Sequence, residues 1–187
     1  MWCTRMNAVA GSERALKFHI EREWKQLVQE SDYLASAINL SKTNDLPAIH
    51  PHLDAIVLMG MSSAVEKCYS GMERIVKNLA ENLDDYVPKG DSWHKSLIEQ
   101  MASKVGDREP VLSENTARLL QALRAFRHRE RNSYSFDLDK TRVMELGEDV
   151  FLAMASLQKD LRTYLFAEMQ EVDGGSTPPQ SGSSFSP

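Results

Sequence analysis

The sequence predicts an all-α fold, an antiparallel bundle of about five helices, on three observations. Apolar residues recur at intervals of three and four along several long segments, which is how one buried face of a helix reads. No stretch alternates apolar and polar residues with the period of two that a half-buried strand requires. The prolines outside the C-terminal stretch fall between the apolar segments, at Pro47, Pro51, Pro88 and Pro110, where they can break helices without costing one.

The elements follow in order. Residues 15–40 place Leu16, Ile20, Trp24, Leu27, Leu34 and Ile38 on one face. Residues 53–83 carry the longest stripe, through Leu53, Ile56, Val57, Met61, Ala64, Val65, Cys68, Met72, Ile75, Val76, Leu79 and Leu83, sustained for about eight turns at 3.6 residues each. After Val87-Pro-Lys-Gly90, Asp91 or Ser92 can cap a short helix over 93–104, and Ser113 can cap another from 114 to about 131. Asp139 stands where it can cap a last helix over 142–169, with Val143, Leu146, Val150, Met154, Leu157, Leu161 and Leu165 facing inward. From Gly174 the chain reads GGSTPPQSGSSFSP, a composition that buries almost nothing. The expected organisation is therefore an N-terminal helix and linker over 1–50 packed on the bundle, a helical domain over 51–171 and a disordered tail over 172–187.

With 187 residues, the chain is long enough for one domain with a substantial core. No window approaches the roughly 18 consecutive apolar residues of a membrane span, and MWCTRMNAVAGSER lacks the basic and apolar regions of a secretory signal. A cytoplasmic location without membrane contact is expected. Cys3 and Cys68 stand alone, outside any CxxC spacing, which fits a reducing compartment and no disulfide framework. His50 and His52 flank a proline in a loop and no third ligand accompanies them, so neither a metal site nor a cofactor is expected.

The net charge of −5 is unevenly spread. Between residues 118 and 142 seven basic side chains face three acidic ones, giving +4, while the rest of the chain holds 15 basic and 24 acidic residues, giving −9. Such an island suggests a local anionic ligand, the alternative being a solvated helix face paired off by Glu130, Asp137 and Asp139. Its core is LLQALRAFRHRERNSYSFDLD. If the helix continues through it, Arg124, Arg127, Arg131 and Tyr134 share one face, with His128 and Asn132 on the next. Three guanidiniums make a poor core stripe, because unpaired buried charge is heavily penalised. They suit phosphate, whose oxygens match the planar donor fork of arginine, and an imidazole nearby could exchange protons near neutral pH. Trp93 and His94 read as a core residue and a structural histidine.

Three stretches carry a resemblance: AVEKCYSGMERIVKNLAENLD at 64–84, PKGDSWHKSLIEQM at 88–101 and LRAFRHRERNSYSFDLD at 123–139. In this order and separation the sequence resembles the HepT-like branch of the HEPN superfamily, the ribonuclease toxins of bacterial toxin–antitoxin pairs, over about residues 53–169. The resemblance implies a homodimeric bundle with its active site in the cleft between protomers. The family signature is an Arg, four residues, a His, one residue and a Tyr. It falls on Arg127 and Tyr134, with Asn132 in the place of the histidine.

By that resemblance the chain is the toxin of a type VII-like system, a metal-independent endoribonuclease that cleaves RNA through attack of the 2′-OH. A minimal nucleotidyltransferase antitoxin would silence it by attaching AMP to Tyr134. Arg127 and Arg131 would stabilise charge, with Arg124 joining Arg131 in holding the RNA phosphates. Asn132 hydrogen-bonds but cannot act as a general base near neutral pH, which leaves His128 as the proton shuttle. The rival reading is a catalytically impaired HEPN module that binds RNA or nucleotide, or acts as a dimeric scaffold. For Tyr134 the rival role is that of an aromatic anchor above Phe136 and Leu138.

Overall fold

Among the described residues the apolar stripes become five helices: α1 (Trp2–Ser41), α2 (Leu53–Leu83), α3 (Trp93–Met101), α4 (Glu114–Glu130) and α5 (Lys140–Tyr164). The computed structural model describes residues 2–42, 50, 52–130 and 138–164, with the side chains of that set apart from 2–13 and 128–130. Among the described residues there is no strand, and one isolated antiparallel bridge joins Val105 to Arg108. The all-α bundle predicted from periodicity is the observed architecture.

α2 is the central helix and packs against the other four. Its stripe is sealed: Met61, Cys68, Met72, Ile75, Val76 and Leu79 are fully buried, each large aliphatic side chain contributing about 1.5–3 kcal/mol by leaving water. Contacts between helices fix their directions. Along α1, Glu23, Leu27 and Glu30 meet Arg74, Gly71 and Lys67 of α2 in turn, so the two helices run antiparallel. α1 also runs antiparallel to α5. Lys140 Nζ donates to the Ser41 carbonyl at 3.1 Å, and one turn or two further in Gly147 lies under Ile38. A Cβ at Gly147 would stand 2.8 Å from Ile38 Cδ1, which is why the helices can approach so closely there. α4 and α5 are pinned at one end by polar contacts: the Ser113 amide donates to Asp160 Oδ2 at 2.8 Å, and the Thr116 hydroxyl lies 2.7 Å from Ser156 Oγ.

The ends of the helices show where local signals suffice. Asp139 caps α5 as expected, its carboxylate accepting from the amides of Thr141 (2.9 Å) and Arg142 (3.3 Å). Ser113 caps α4 by accepting from the Thr116 amide at 3.3 Å. Three expectations are corrected. Ser92 occupies the N-cap of α3, but its hydroxyl makes no cap hydrogen bond. α3 stops at Met101 rather than 104, because the Met101 carbonyl accepts from both Val111 and Leu112 and the intervening chain reverses through Gly106 at φ +58°. α1 starts at Trp2 rather than near residue 15, before the apolar stripe begins at Leu16. α2 terminates as predicted, with Asp85 in the left-handed region at φ +50° turning the chain away. The far end of the last predicted helix, beyond Tyr164, and the tail over 172–187 lie outside the described residues.

Candidate functional site

The rotation of α4 is set by Leu119, Leu120, Leu123 and Phe126, all buried. That leaves Arg127 at the edge of the buried face, turned toward α2, with its side chain 19% exposed. There it meets two carboxylates. Arg127 Nη1 lies 3.2 Å from Glu73 Oε2 and donates to it, and Nε lies 3.4 Å from Glu66 Oε1. Its guanidinium carbon stands 5.8 Å from the centroid of the Tyr69 ring, within cation–π range. Glu66, Tyr69 and Glu73 are spaced by three and four along α2, which places all three on one face beside the apolar stripe.

Glu73 is the centre of this cluster. Oε1 accepts a hydrogen bond from the Tyr69 hydroxyl at 2.8 Å and also meets His94 Nδ1, while Oε2 faces Arg127. The carboxylate is nearly buried and its charge is met from three sides, which is what burial of a charge requires. Burial pushes the Tyr69 hydroxyl above the ordinary phenol range, and the charge and hydrogen bond of Glu73 push the same way, against the weaker opposing effect of Arg127 and Arg124. Tyr69 therefore stays protonated and serves as a fixed donor.

His94, in the first turn of α3, is stacked on Trp93 with ring centroids 3.7 Å apart and planes 28° from parallel. Trp93 itself packs, partly buried, against the core. Because a carboxylate can only accept, His94 carries its proton on Nδ1 when neutral, and Nε2 is left with a lone pair on the opposite side of the ring. Arg124 lies one turn before Arg127, its Nε donating to Gln121 Oε1 at 2.8 Å.

Of the six residues that the sequence singled out, the structure places Arg124 and Arg127 together on α4. Arg131, Asn132 and Tyr134 lie outside the described residues, as does the side chain of His128. What sequence reasoning missed is the acidic and imidazole half of the site: Glu66, Glu73, Tyr69 and His94. The signal available was the 3-and-4 spacing of two glutamates and a tyrosine against an apolar stripe. Among the described side chains, the acids that Arg127 meets belong to α2.

Among the described residues no group of three or more His, Cys, Asp or Glu side chains is placed to hold a metal ion. His50 and His52 meet each other instead, the His52 amide donating to His50 Nδ1 at 3.2 Å. No described helix is long and apolar enough to cross a membrane.

No curated protein and no solved structure matches the chain. The sequence model of the HepT-like protein family does match, over residues 60–167, a span that takes in most of α2, all of α3 and α4 and the whole described length of α5. The cluster around Glu73 and Arg127 lies wholly within that span, which is more than half of the sequence, and on this match the chain belongs to the HepT-like family.

Proposed function

We propose that this HepT-like chain is the toxin of a type VII-like toxin–antitoxin pair, a cytosolic, homodimeric endoribonuclease that works without metal. The observation that carries the reading is the position of Arg127. The arginine of the family signature is held at the edge of the core by two carboxylates, with its guanidinium set beside a histidine-bearing helix. Cleavage by this route needs three things. A base takes the proton of the ribose 2′-OH, cationic donors stabilise the charge that builds on the phosphate, and the departing 5′-oxygen receives a proton. Arg127 and Arg131 supply charge, Arg124 and Arg131 hold the phosphates, and Asn132 positions by hydrogen bonding alone. The base is an imidazole, with His128 the candidate adjacent to Arg127 in sequence.

Silencing belongs to the same reading. AMP attached by a minimal nucleotidyltransferase to Tyr134, seven residues beyond Arg127, would set a phosphodiester beside the arginines and occupy the place of the substrate phosphate. Tyr69 is no rival acceptor, being 1% exposed with its hydroxyl committed to Glu73.

The test is cleavage of a labelled RNA in EDTA. Products ending in 2′,3′-cyclic phosphate, reduced about 10²–10³-fold by Arg127→Ala, are expected. Magnesium-dependent cleavage leaving 5′-phosphates, or no cleavage at all, would refute it. The pairing of Arg127 with Glu66 and Glu73 favours a second reading, a binding module or dimeric scaffold in which that arginine is structural; RNA retention without cleavage is its signature.

A further inference from the structure

We propose that His94, held by Glu73, is the proton acceptor of the RNA-cleaving site, in preference to His128. The inference rests on the ribonuclease reading and names the base that reading needs. Four observations point to it. His94 Nδ1 and Arg127 Nη1 bind opposite oxygens of the same carboxylate, so one side chain fixes an imidazole and a guanidinium relative to each other. The stack on Trp93 fixes the plane of the ring, leaving Nε2 aimed away from Glu73. The side chain is 27% exposed, unlike the sealed core around it, so the ring is partly open to a substrate. The neighbouring hydroxyl, Tyr69, is locked as a donor and cannot take the role.

The step balances without a metal or an outside reagent other than water. Nε2 of neutral His94 takes the 2′-OH proton as the 2′-oxygen forms a bond to phosphorus. The bond from phosphorus to the 5′-oxygen breaks, and that oxygen takes a proton from water. The products are a 2′,3′-cyclic phosphate and a 5′-hydroxyl, and the imidazolium returns its proton to solvent. Arg127 faces the charge that builds on the phosphate oxygens. Glu73 is a positioning residue, since it holds the His94 tautomer and stabilises the imidazolium that forms.

The experiment measures the pH dependence of cleavage in EDTA by the full chain, His94→Gln and Glu73→Gln, with RNA affinity read separately and His52→Gln as the histidine-removal control. His94→Gln is expected to lose about 10²–10⁴-fold in kcat while binding RNA as wild type does. Glu73→Gln withdraws the carboxylate charge, so the acid limb of its profile should move to lower pH, which a merely structural role would not produce. Circular dichroism reports folding, and if His94→Gln does not fold the Glu73→Gln profile decides. Cleavage by folded His94→Gln within about threefold of wild type, or an unmoved acid limb in Glu73→Gln, overturns the assignment of His94 and leaves the ribonuclease reading standing. A wild-type chain that cleaves no RNA overturns both.

Discussion

Glu73→Ala should destabilise the bundle by about 2–4 kcal/mol, and most of that loss should pass through Tyr69. Tyr69 is 1% exposed and its hydroxyl donates to Glu73. Without that acceptor it becomes a buried unsatisfied group at a cost of about 1–3 kcal/mol. Arg127, 19% exposed and still 3.4 Å from Glu66, should add only about 1 kcal/mol, because water and the remaining carboxylate compensate it. His94 adds little, since its ring is partly exposed and water can replace the carboxylate at Nδ1. Tyr69→Phe alone should cost about 1 kcal/mol. In the Glu73→Ala background it removes the orphan hydroxyl, so the double variant should fall short of the sum by about 2–4 kcal/mol. The assay is urea unfolding followed by circular dichroism at one protein concentration, because association between chains would shift the midpoint. Glu73→Ala within 0.5 kcal/mol of wild type, or strict additivity in the double variant, would show that Tyr69 is not held as described.

Three further outcomes test the arrangement. Arg108 clamps Asp84 with Nε at 2.5 Å and Nη2 at 2.9 Å, the two side chains being 8% and 4% exposed. Asp84→Asn should therefore cost about 3–5 kcal/mol near neutral pH. Burial alone would raise the Asp84 carboxyl, but hydrogen bonds from Arg108 and Gln100 and the Arg108 charge outweigh it and hold the group below its ordinary value. Its contribution is thus present above about pH 4 and lost as pH falls through the folded value, so the gap between wild type and Asp84→Asn should close in acid; a constant gap down to pH 2 would contradict this. Burial, with the Glu30 charge adding to it, pushes the Cys68 thiol up to about 12 against the pull of Lys67. In a Cys3→Ser background, Ellman's reagent should label Cys68 only as fast as the bundle opens, and rapid native-state labelling would count against the packing of α2. Glu66, 36% exposed, competes with any phosphate for Arg127, so Glu66→Gln should tighten RNA binding by up to about fivefold at low salt, and unchanged affinity in filter binding would remove Arg127 from the RNA surface.

What the sequence made legible is whatever depends on neighbours in the chain. The stripe from Leu53 to Leu83 is long enough, and bounded closely enough by Pro51 and Pro88, that α2 begins and ends where periodicity places it. Asp139 and Ser113 cap because an N-cap needs only the next three residues. The end of α3 was not legible, since the carbonyl that stops it is satisfied by Val111 and Leu112, ten and eleven residues on. The site divides in the same way. Arg127 stands out from sequence as a charge adjoining a buried apolar stripe, but its partners lie 54 and 61 residues earlier and no local pattern names them. His94 reads as structural because its carboxylate partner is 21 residues away on another helix. Counting charge along the chain says least about partners. The surplus between residues 118 and 142 suggests arginines waiting for an anion, or else neutralised by acids within the same segment. Arg127 shows what a count along the chain leaves out. It is met by Glu66 and Glu73 from α2, and the second of these carboxylates also orients an imidazole, so the charge that neutralises the arginine is the same charge that organises the site around it.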